Sequence, residues 1–313
     1  MAGLLMILFV YIPLGFILFN IALYAMALLP TPQKVHQYIE FAARSLAYVL
    51  SLIACAFYGI ISACVLRALG HPGLASWPCA KSFEFVMSYT CDVRFEIVEG
   101  EEHLRERPAV FISNHQSELD VLMLGTVWPK YCSVTAKSTL KSYPFLGQFM
   151  SVSGAVFIDR GNRTNAFAAF DNAANIMKTQ KQSVFIFPEG TRSYTREPML
   201  LPFKKGAFHL AVKAQVDIVP IVVANYSNVI YLQGRWFRPG RIPIKVLPPI
   251  STKNMDPSQV EDLTRSVRGT MLQELIALSV RSSTSPIEDQ RAVKASGIQS
   301  ELQGGVIKSR KDL

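Results

Sequence analysis

Residues 155–188 read AVFIDRGNRTNAFAAFDNAANIMKTQKQSVFIFP, and the order of patterns within them decides the fold class. Short β-branched and aromatic runs, "AVFIDR" and "SVFIFP", stand at the two ends, as strands do. Between them Phe167, Phe170, Ala173, Ala174 and Met177 recur at helical spacing, which marks the apolar face of a helix. Asn162 or Thr164 is placed to cap it. Outward from this unit, "RFEIVEG", "AVFI", "CSVTAK", "DIVPIVVAN" and "RIPIKVL" supply further strand candidates. Alternating strands and helices belong to an α/β domain, here residues 85–282. Residues 283–313 are polar with little apolar period, the composition of a disordered tail.

The N-terminal part has a different character. Half of the 313 residues are hydrophobic, too many for an ordinary soluble chain. The first thirty residues hold no charged side chain, and about 20 apolar residues cross a bilayer as a helix, so Met1–Leu29 is long enough to span. A cleaved signal peptide would carry a basic start and a shorter apolar core. Ser45–Leu66, between Arg44 and Arg67, is a second candidate span. A buried core helix or a lipid-dipping helix is the other reading of that run. Together the two runs make residues 1–66 a membrane-anchoring hairpin, joined by a 67–84 connector to the α/β domain. Lys34, Arg44, Arg67 and Lys81 fall around both ends of the second run, so positive charge does not orient it.

Five cysteines, Cys55, Cys64, Cys79, Cys91 and Cys132, lack the spacing of a disulfide framework or a zinc site. A reducing compartment suits them. The net charge of +9 suits an anionic membrane surface or a phosphorylated substrate. Nucleic acid is disfavoured because no nucleic-acid motif accompanies the charge.

The chemistry gathers at strand ends. "SNHQSELD", residues 113–120, separates two apolar runs. His115 and Asp120 are five apart, and five steps of about 100° point two side chains apart on one helix. They meet if His115 lies in the strand-to-helix turn and Asp120 opens the helix. The carboxylate then fixes the imidazole tautomer and leaves the other nitrogen as a base. A purely structural pair, with His115 satisfying the turn and Asp120 capping the helix, is the other reading. There is no G-x-S-x-G, so a nucleophile elbow is unsupported, and the hydroxyl to be deprotonated belongs to a substrate. "FPEGTRS", residues 187–193, delivers Glu189, Gly190 and Arg192 at a second strand end. Arginine grips phosphate through paired donors, and glycine permits close backbone approach. Arg160 and Lys137 end two more strands, and strand ends are where an open α/β sheet carries its site.

At these residues the chain resembles the glycerolipid acyltransferases. "NHQSELD" is similar to their N-H-x-x-x-x-D motif and "FPEGTRS" to their second hallmark, while "GAVFIDR" and "IVPIVVAN" look like two further blocks in the family's order. "VTAKSTLKSYPFLGQFM" and "MLPFKKGAFHLA" extend the resemblance to the 1-acyl-sn-glycerol-3-phosphate acyltransferases of fungal type, over about residues 85 to 275.

The resemblance implies a mixed central sheet flanked by helices. It implies acyl transfer from acyl-CoA, a co-substrate, to the sn-2 hydroxyl of lysophosphatidic acid, giving phosphatidic acid and CoA without metal or cofactor. His115 would be the general base and Asp120 its orienting partner. Arg160, Glu189, Gly190 and Arg192 would bind or arrange the glycerol-phosphate end, with Lys137 as a further phosphate contact. Another lysophospholipid or glycerol 3-phosphate is the alternative acceptor, and a non-catalytic lipid-binding protein is the alternative class. The fourth block lacks a second proline where Val222 or Val223 stands, which bears on acyl specificity. Lys204 and Lys205 attract CoA or lipid phosphate or form a solvated face, and His209 is read as structural. Trp128, Trp236 and Phe237 sit at a membrane interface or pack in a core. Cytosolic acyl-CoA would place the domain on the cytosolic side of the endoplasmic reticulum, or of a lipid droplet, and the terminal "RKDL" faintly resembles a dibasic retrieval signal.

Overall fold

The computed structural model describes residues 6, 10–159, 161 and 163–284. Seven strands form one sheet: β1 (Val93–Glu99), β2 (Ala109–Ser113), β3 (Cys132–Lys137), β4 (Val156–Ile158), β5 (Ser183–Ile186), β6 (Asp217–Val223) and β9 (Gly240–Val246). They lie in the order β1-β9-β6-β2-β5-β3-β4, and a separate hairpin pairs β7 (Ile230–Tyr231) with β8 (Trp236–Phe237). All seven strand runs singled out in the sequence are in that sheet. β6, β2, β5, β3 and β4 are mutually parallel, while β9 runs antiparallel to β6 and parallel to β1. Five strands therefore end on the same edge. Every residue of β2 and β5 is buried, as expected of central parallel strands covered on both faces.

Strand alternation divides the core in two. Phe111, Phe185, Val219 and Ile221 point to one face, where α3 (Ser76–Thr90) and α4 (Asp120–Val127) pack. Val110, Ile112, Val184 and Ile186 point to the other. That face is covered by α6 (Arg163–Gln180), α7 (Gly206–Ala214) and α8 (Val260–Thr284). The helix read from residues 155–188 is α6, with Ala173, Ala174 and Met177 buried. Asn162 lies outside the described residues, and Thr164 falls inside the helix. Trp128 and Phe237 are core residues, and the Trp236 indole donates to the Ser227 carbonyl at 2.8 Å.

The N-terminal helices are part of this packing. α1 (Ile12–Ala27) starts with Pro13 in its first turn, where a missing N–H costs nothing. Its 16 residues follow a π-helical turn at Val10 and Tyr11; residues 1–5 and 7–9 of the first candidate span lie outside the description. α2 (Gln33–Ala68) is long and apolar enough to cross a membrane, and begins well before the expected Ser45. It buries a face of small residues, Ala43, Ala47, Ser51, Cys55, Ala56, Gly59 and Ala63, allowing close helix approach. The Asn20 amide donates to the Ala43 carbonyl at 2.7 Å, tying α1 to α2. Gln37 reaches the Gly234 carbonyl at 2.9 Å, Tyr48 the Glu118 carbonyl at 2.8 Å and Arg67, at 3.1 Å, the carbonyl of Val152 at the end of α5 (Leu146–Val152). The outer faces expose Leu18, Phe19, Ile61 and Val65. Between α2 and the sheet, the second half of the expected 67–84 connector is instead the start of α3. Phe83 and Met87 of that helix share a core with Ala47 and Cys55 of α2. The polar tail lies outside the described residues from 285 onward, and α8 ends at Thr284. All five cysteines are free, Cys64 alone exposed.

Candidate active site

The site starts where β2 ends. Asn114 prolongs the strand with its side chain, accepting from the Val223 N–H and donating to the Val223 carbonyl, both at 2.9 Å. Gln116 donates to the Ala224 carbonyl at 2.9 Å. These two amides clamp the turn to the end of β6, and His115 stands between them. Asp120 opens α4, so the five-residue spacing is a turn followed by a helix start.

Its carboxylate folds back on the turn. Oδ2 accepts from His115 Nδ1 at 2.7 Å, from the Gln116 N–H at 2.6 Å and from the Ser117 N–H at 3.2 Å. Oδ1 accepts from the Tyr226 hydroxyl at 2.7 Å. Asp120 is 1% exposed, whereas 18% of the His115 side chain meets solvent. An acceptor at Nδ1 means the neutral ring carries its proton there, leaving the Nε2 lone pair open. The imidazole stacks on Phe187 with centroids 4.1 Å apart and planes at 19°, which limits its rotation.

β5 is the parallel neighbour of β2, and its exit loop completes the site. Glu189 is 3% exposed and points back under the histidine. Its two oxygens accept the His115 N–H at 2.7 Å and the Leu201 N–H at 2.8 Å. Burial raises its pKa, opposed by those two hydrogen bonds. The Ser193 and Tyr194 N–H groups donate to the His115 and Gln116 carbonyls at 2.9 and 3.0 Å, lacing the loops together. Gly190 has φ +69°, and a Cβ there would stand 2.9 Å from the Lys204 ammonium. Arg192 Nη1 bonds Glu118 Oε1 at 3.2 Å and the Tyr194 hydroxyl at 3.3 Å. Its Nε is buried without a described hydrogen-bond partner.

Of the residues read from sequence, His115, Asp120, Glu189, Gly190 and Arg192 come together in one cluster. Lys137 is exposed at the end of β3, on the same sheet edge but with β5 between β3 and β2. Arg160 lies outside the described residues. Lys205 pairs with Glu261. His209 is in α7, its pKa lowered by partial burial and by Lys205. Phe187 and Tyr226 were missed: Phe187 opens the quoted "FPEGTRS" and Tyr226 follows "IVPIVVAN", and sequence period cannot separate such aromatic residues from core.

Residues 96–224 match a family model described as Acyltransferase, so fold and site together define an α/β acyltransferase with a His-Asp pair. Over 232 residues the chain is 42% identical to 1-acyl-sn-glycerol-3-phosphate acyltransferase of Saccharomyces cerevisiae, covering 74% of this chain and 76% of that one. An uncharacterized acyltransferase of Schizosaccharomyces pombe is 41% identical over 77% of this chain and 86% of its own. The chain belongs to the 1-acyl-sn-glycerol-3-phosphate acyltransferase family. The crystal structure of PlsC, the 1-acyl-sn-glycerophosphate (LPA) acyltransferase of Thermotoga maritima, shares the fold. Its TM-score is 0.52 at 22% identity, over 74% of this chain and 97% of that one.

Proposed function

We propose that the protein transfers the acyl group of acyl-CoA to the sn-2 hydroxyl of lysophosphatidic acid, forming phosphatidic acid and CoA. The observation that carries this reading is the 2.7 Å bond between His115 Nδ1 and Asp120, which leaves Nε2 as a base at a partly open position. Nε2 takes the hydroxyl proton as the acceptor oxygen attacks the thioester carbonyl. The adduct collapses with cleavage of the C–S bond, and the imidazolium returns the proton to the departing thiolate. No covalent intermediate on the protein is needed, because the thioester is already activated and positioning is most of the task.

Arg192, Lys137 and Arg160 supply positive charge for the lysolipid phosphate, and Gly190 lets it approach the backbone. Lys204, whose ammonium lies against Gly190, joins them. Glu189 acts by holding the His115 loop, since both its oxygens are occupied. The apolar faces of α1 and α2 hold the domain at a membrane. Cytosolic supply of acyl-CoA places it on the cytosolic face of the endoplasmic reticulum. Protease treatment of intact microsomes tests that orientation, because protection of the α/β domain without detergent would contradict it.

The reaction is tested by CoA-thiol release from the detergent-purified full chain with oleoyl-CoA. Lysophosphatidic acid, lysophosphatidylcholine, glycerol 3-phosphate and no acceptor are compared, with His115→Ala alongside. Release and phosphatidic acid formation with lysophosphatidic acid, lost in the variant, is the expected result. Preference for another acceptor would overturn the substrate, and release insensitive to His115→Ala would overturn the mechanism.

A further inference from the structure

Three of the four hydrogen bonds to Asp120 reach one oxygen, Oδ2. Among the described residues the donor to the other oxygen is Tyr226, at 2.7 Å. A carboxylate held through one oxygen can pivot about its Cβ–Cγ bond and carry the histidine with it. Hydrogen bonds at both oxygens stop that rotation. Tyr226 follows β6 by three residues, so the bond joins the end of one strand to the helix that follows its neighbour.

The phenol is itself fixed on every side. Its oxygen accepts from the Ser117 N–H at 3.1 Å and lies 3.0 Å from Ser117 Oγ. A carboxylate is the stronger acceptor of the two oxygens within reach, so the phenol proton goes to Asp120 and the Ser117 hydroxyl turns toward the phenol. The ring is 1% exposed and meets Phe95 edge-on, centroids 5.7 Å apart at 90°. Its backbone carbonyl accepts the Val229 and Ile230 N–H groups, and the preceding Asn225 N–H donates to Ser279 Oγ of α8 at 2.8 Å. Tyr226 is therefore anchored independently of the pair it touches.

We propose that Tyr226 is a positioning residue of this enzyme, locking the Asp120 carboxylate so that His115 presents Nε2 to the acceptor hydroxyl. The proposal rests on the reading of His115 as general base. Burial, and then the Asp120 charge, raise the phenol pKa well above its ordinary value, which keeps the hydroxyl a donor to Asp120. Among the described residues, the other ionisable groups around the pair are Glu118 of the same turn, Glu189, Arg192 and Tyr194 from the loop after β5, and Tyr48 from α2. All of them remain in place when only the phenol oxygen is removed.

The test is Tyr226→Phe in the purified full chain, with kcat and KM for lysophosphatidic acid followed across pH. Loss of positioning at the base lowers kcat about ten- to a hundred-fold while KM is little changed. With one donor fewer on Asp120, the carboxylate holds the imidazolium more strongly, and the acid limb of the kcat/KM profile moves to higher pH. Replacing Tyr226 by 3-fluorotyrosine keeps the donor and restores kcat, which separates lost positioning from lost packing. An unchanged kcat in Tyr226→Phe would overturn the proposal. So would a loss of activity with an unmoved acid limb and no rescue by fluorotyrosine, the signature of a merely structural residue. If His115→Ala keeps turnover, the general-base reading fails whatever Tyr226 does. If His115→Ala is inactive while Tyr226→Phe matches the parent, the positioning role alone fails.

Discussion

Asparagine at position 120 has two ways to sit, and the structure chooses between them. His115 Nδ1–H, Gln116 N–H and Ser117 N–H all meet Oδ2, while the Tyr226 hydroxyl meets Oδ1. Turning the new amide nitrogen toward the first group sets it against two backbone N–H donors and leaves the Gln116 N–H unmet, at roughly 1–3 kcal/mol. Turning it toward Tyr226 is far cheaper, because a phenol accepts as well as donates. The amide oxygen stays on the histidine side, and the tautomer with Nε2 unprotonated survives. What Asp120→Asn loses is charge. Two unit charges about 4 Å apart attract by about 4 kcal/mol at an effective dielectric of about 20. Each 1.4 kcal/mol or so is tenfold in rate, so kcat falls about a thousand-fold. The assay is CoA release with lysophosphatidic acid, comparing Asp120→Asn, Asp120→Ala and His115→Ala, with thermal unfolding of each. Asp120→Ala loses the same charge and also leaves the Gln116 N–H without its acceptor, so it is slower and melts lower than Asp120→Asn. If Asp120→Asn is as inactive as His115→Ala, the tautomer has inverted and the argument from the backbone amides is wrong. A rate within about tenfold of the parent, less than 1.4 kcal/mol, would mean that the carboxylate charge does not assist the transfer.

Asn114→Ala strands the buried Val223 N–H, while the Val223 carbonyl keeps the Gln116 amide at 3.2 Å, and should cost about 1–3 kcal/mol of stability; denaturant unfolding checks this, and a change within error would refute it. Gly190→Ala forces a side chain onto φ +69° and into the Lys204 ammonium. It should lose about 1–2 kcal/mol of stability and raise KM for the lysolipid, so an unchanged KM would remove Lys204 and Gly190 from the phosphate site. Arg192→Lys keeps the charge but not the planar fork that suits a phosphate, and should raise KM for the acceptor more than it lowers kcat. The buried Glu189 carboxyl has a folded pKa above its ordinary 4.5. Its contribution to stability is therefore fully present below the unfolded value and lost as pH rises through the raised folded one. Melting curves should show Glu189→Gln gaining on the parent as pH increases through that window, and a gap independent of pH would contradict the shift.

Much of this protein was legible in one dimension. Strand runs are short and self-contained, so all seven strands of the main sheet could be read from composition alone, and the helical period of residues 163–180 declared α6. The same period was present elsewhere and passed over, at Cys79, Phe83 and Met87 in α3 and at Val260, Leu263, Val267, Met271 and Leu275 in α8. The His115–Asp120 pair was legible because both partners belong to one turn, and the motifs around it placed the chain among acyltransferases. What the tertiary structure alone decided depends on which strands are neighbours. Glu189 braces the His115 loop from 74 residues away because β5 lies beside β2. Tyr226 reaches Asp120 across 106 residues because β6 lies on the other side. Half of the connector became α3, whose apolar face found the sheet, and α2 joined the core by packing its small-residue face against α3. Periodicity reports that a residue faces inward; sheet order determines what it meets there.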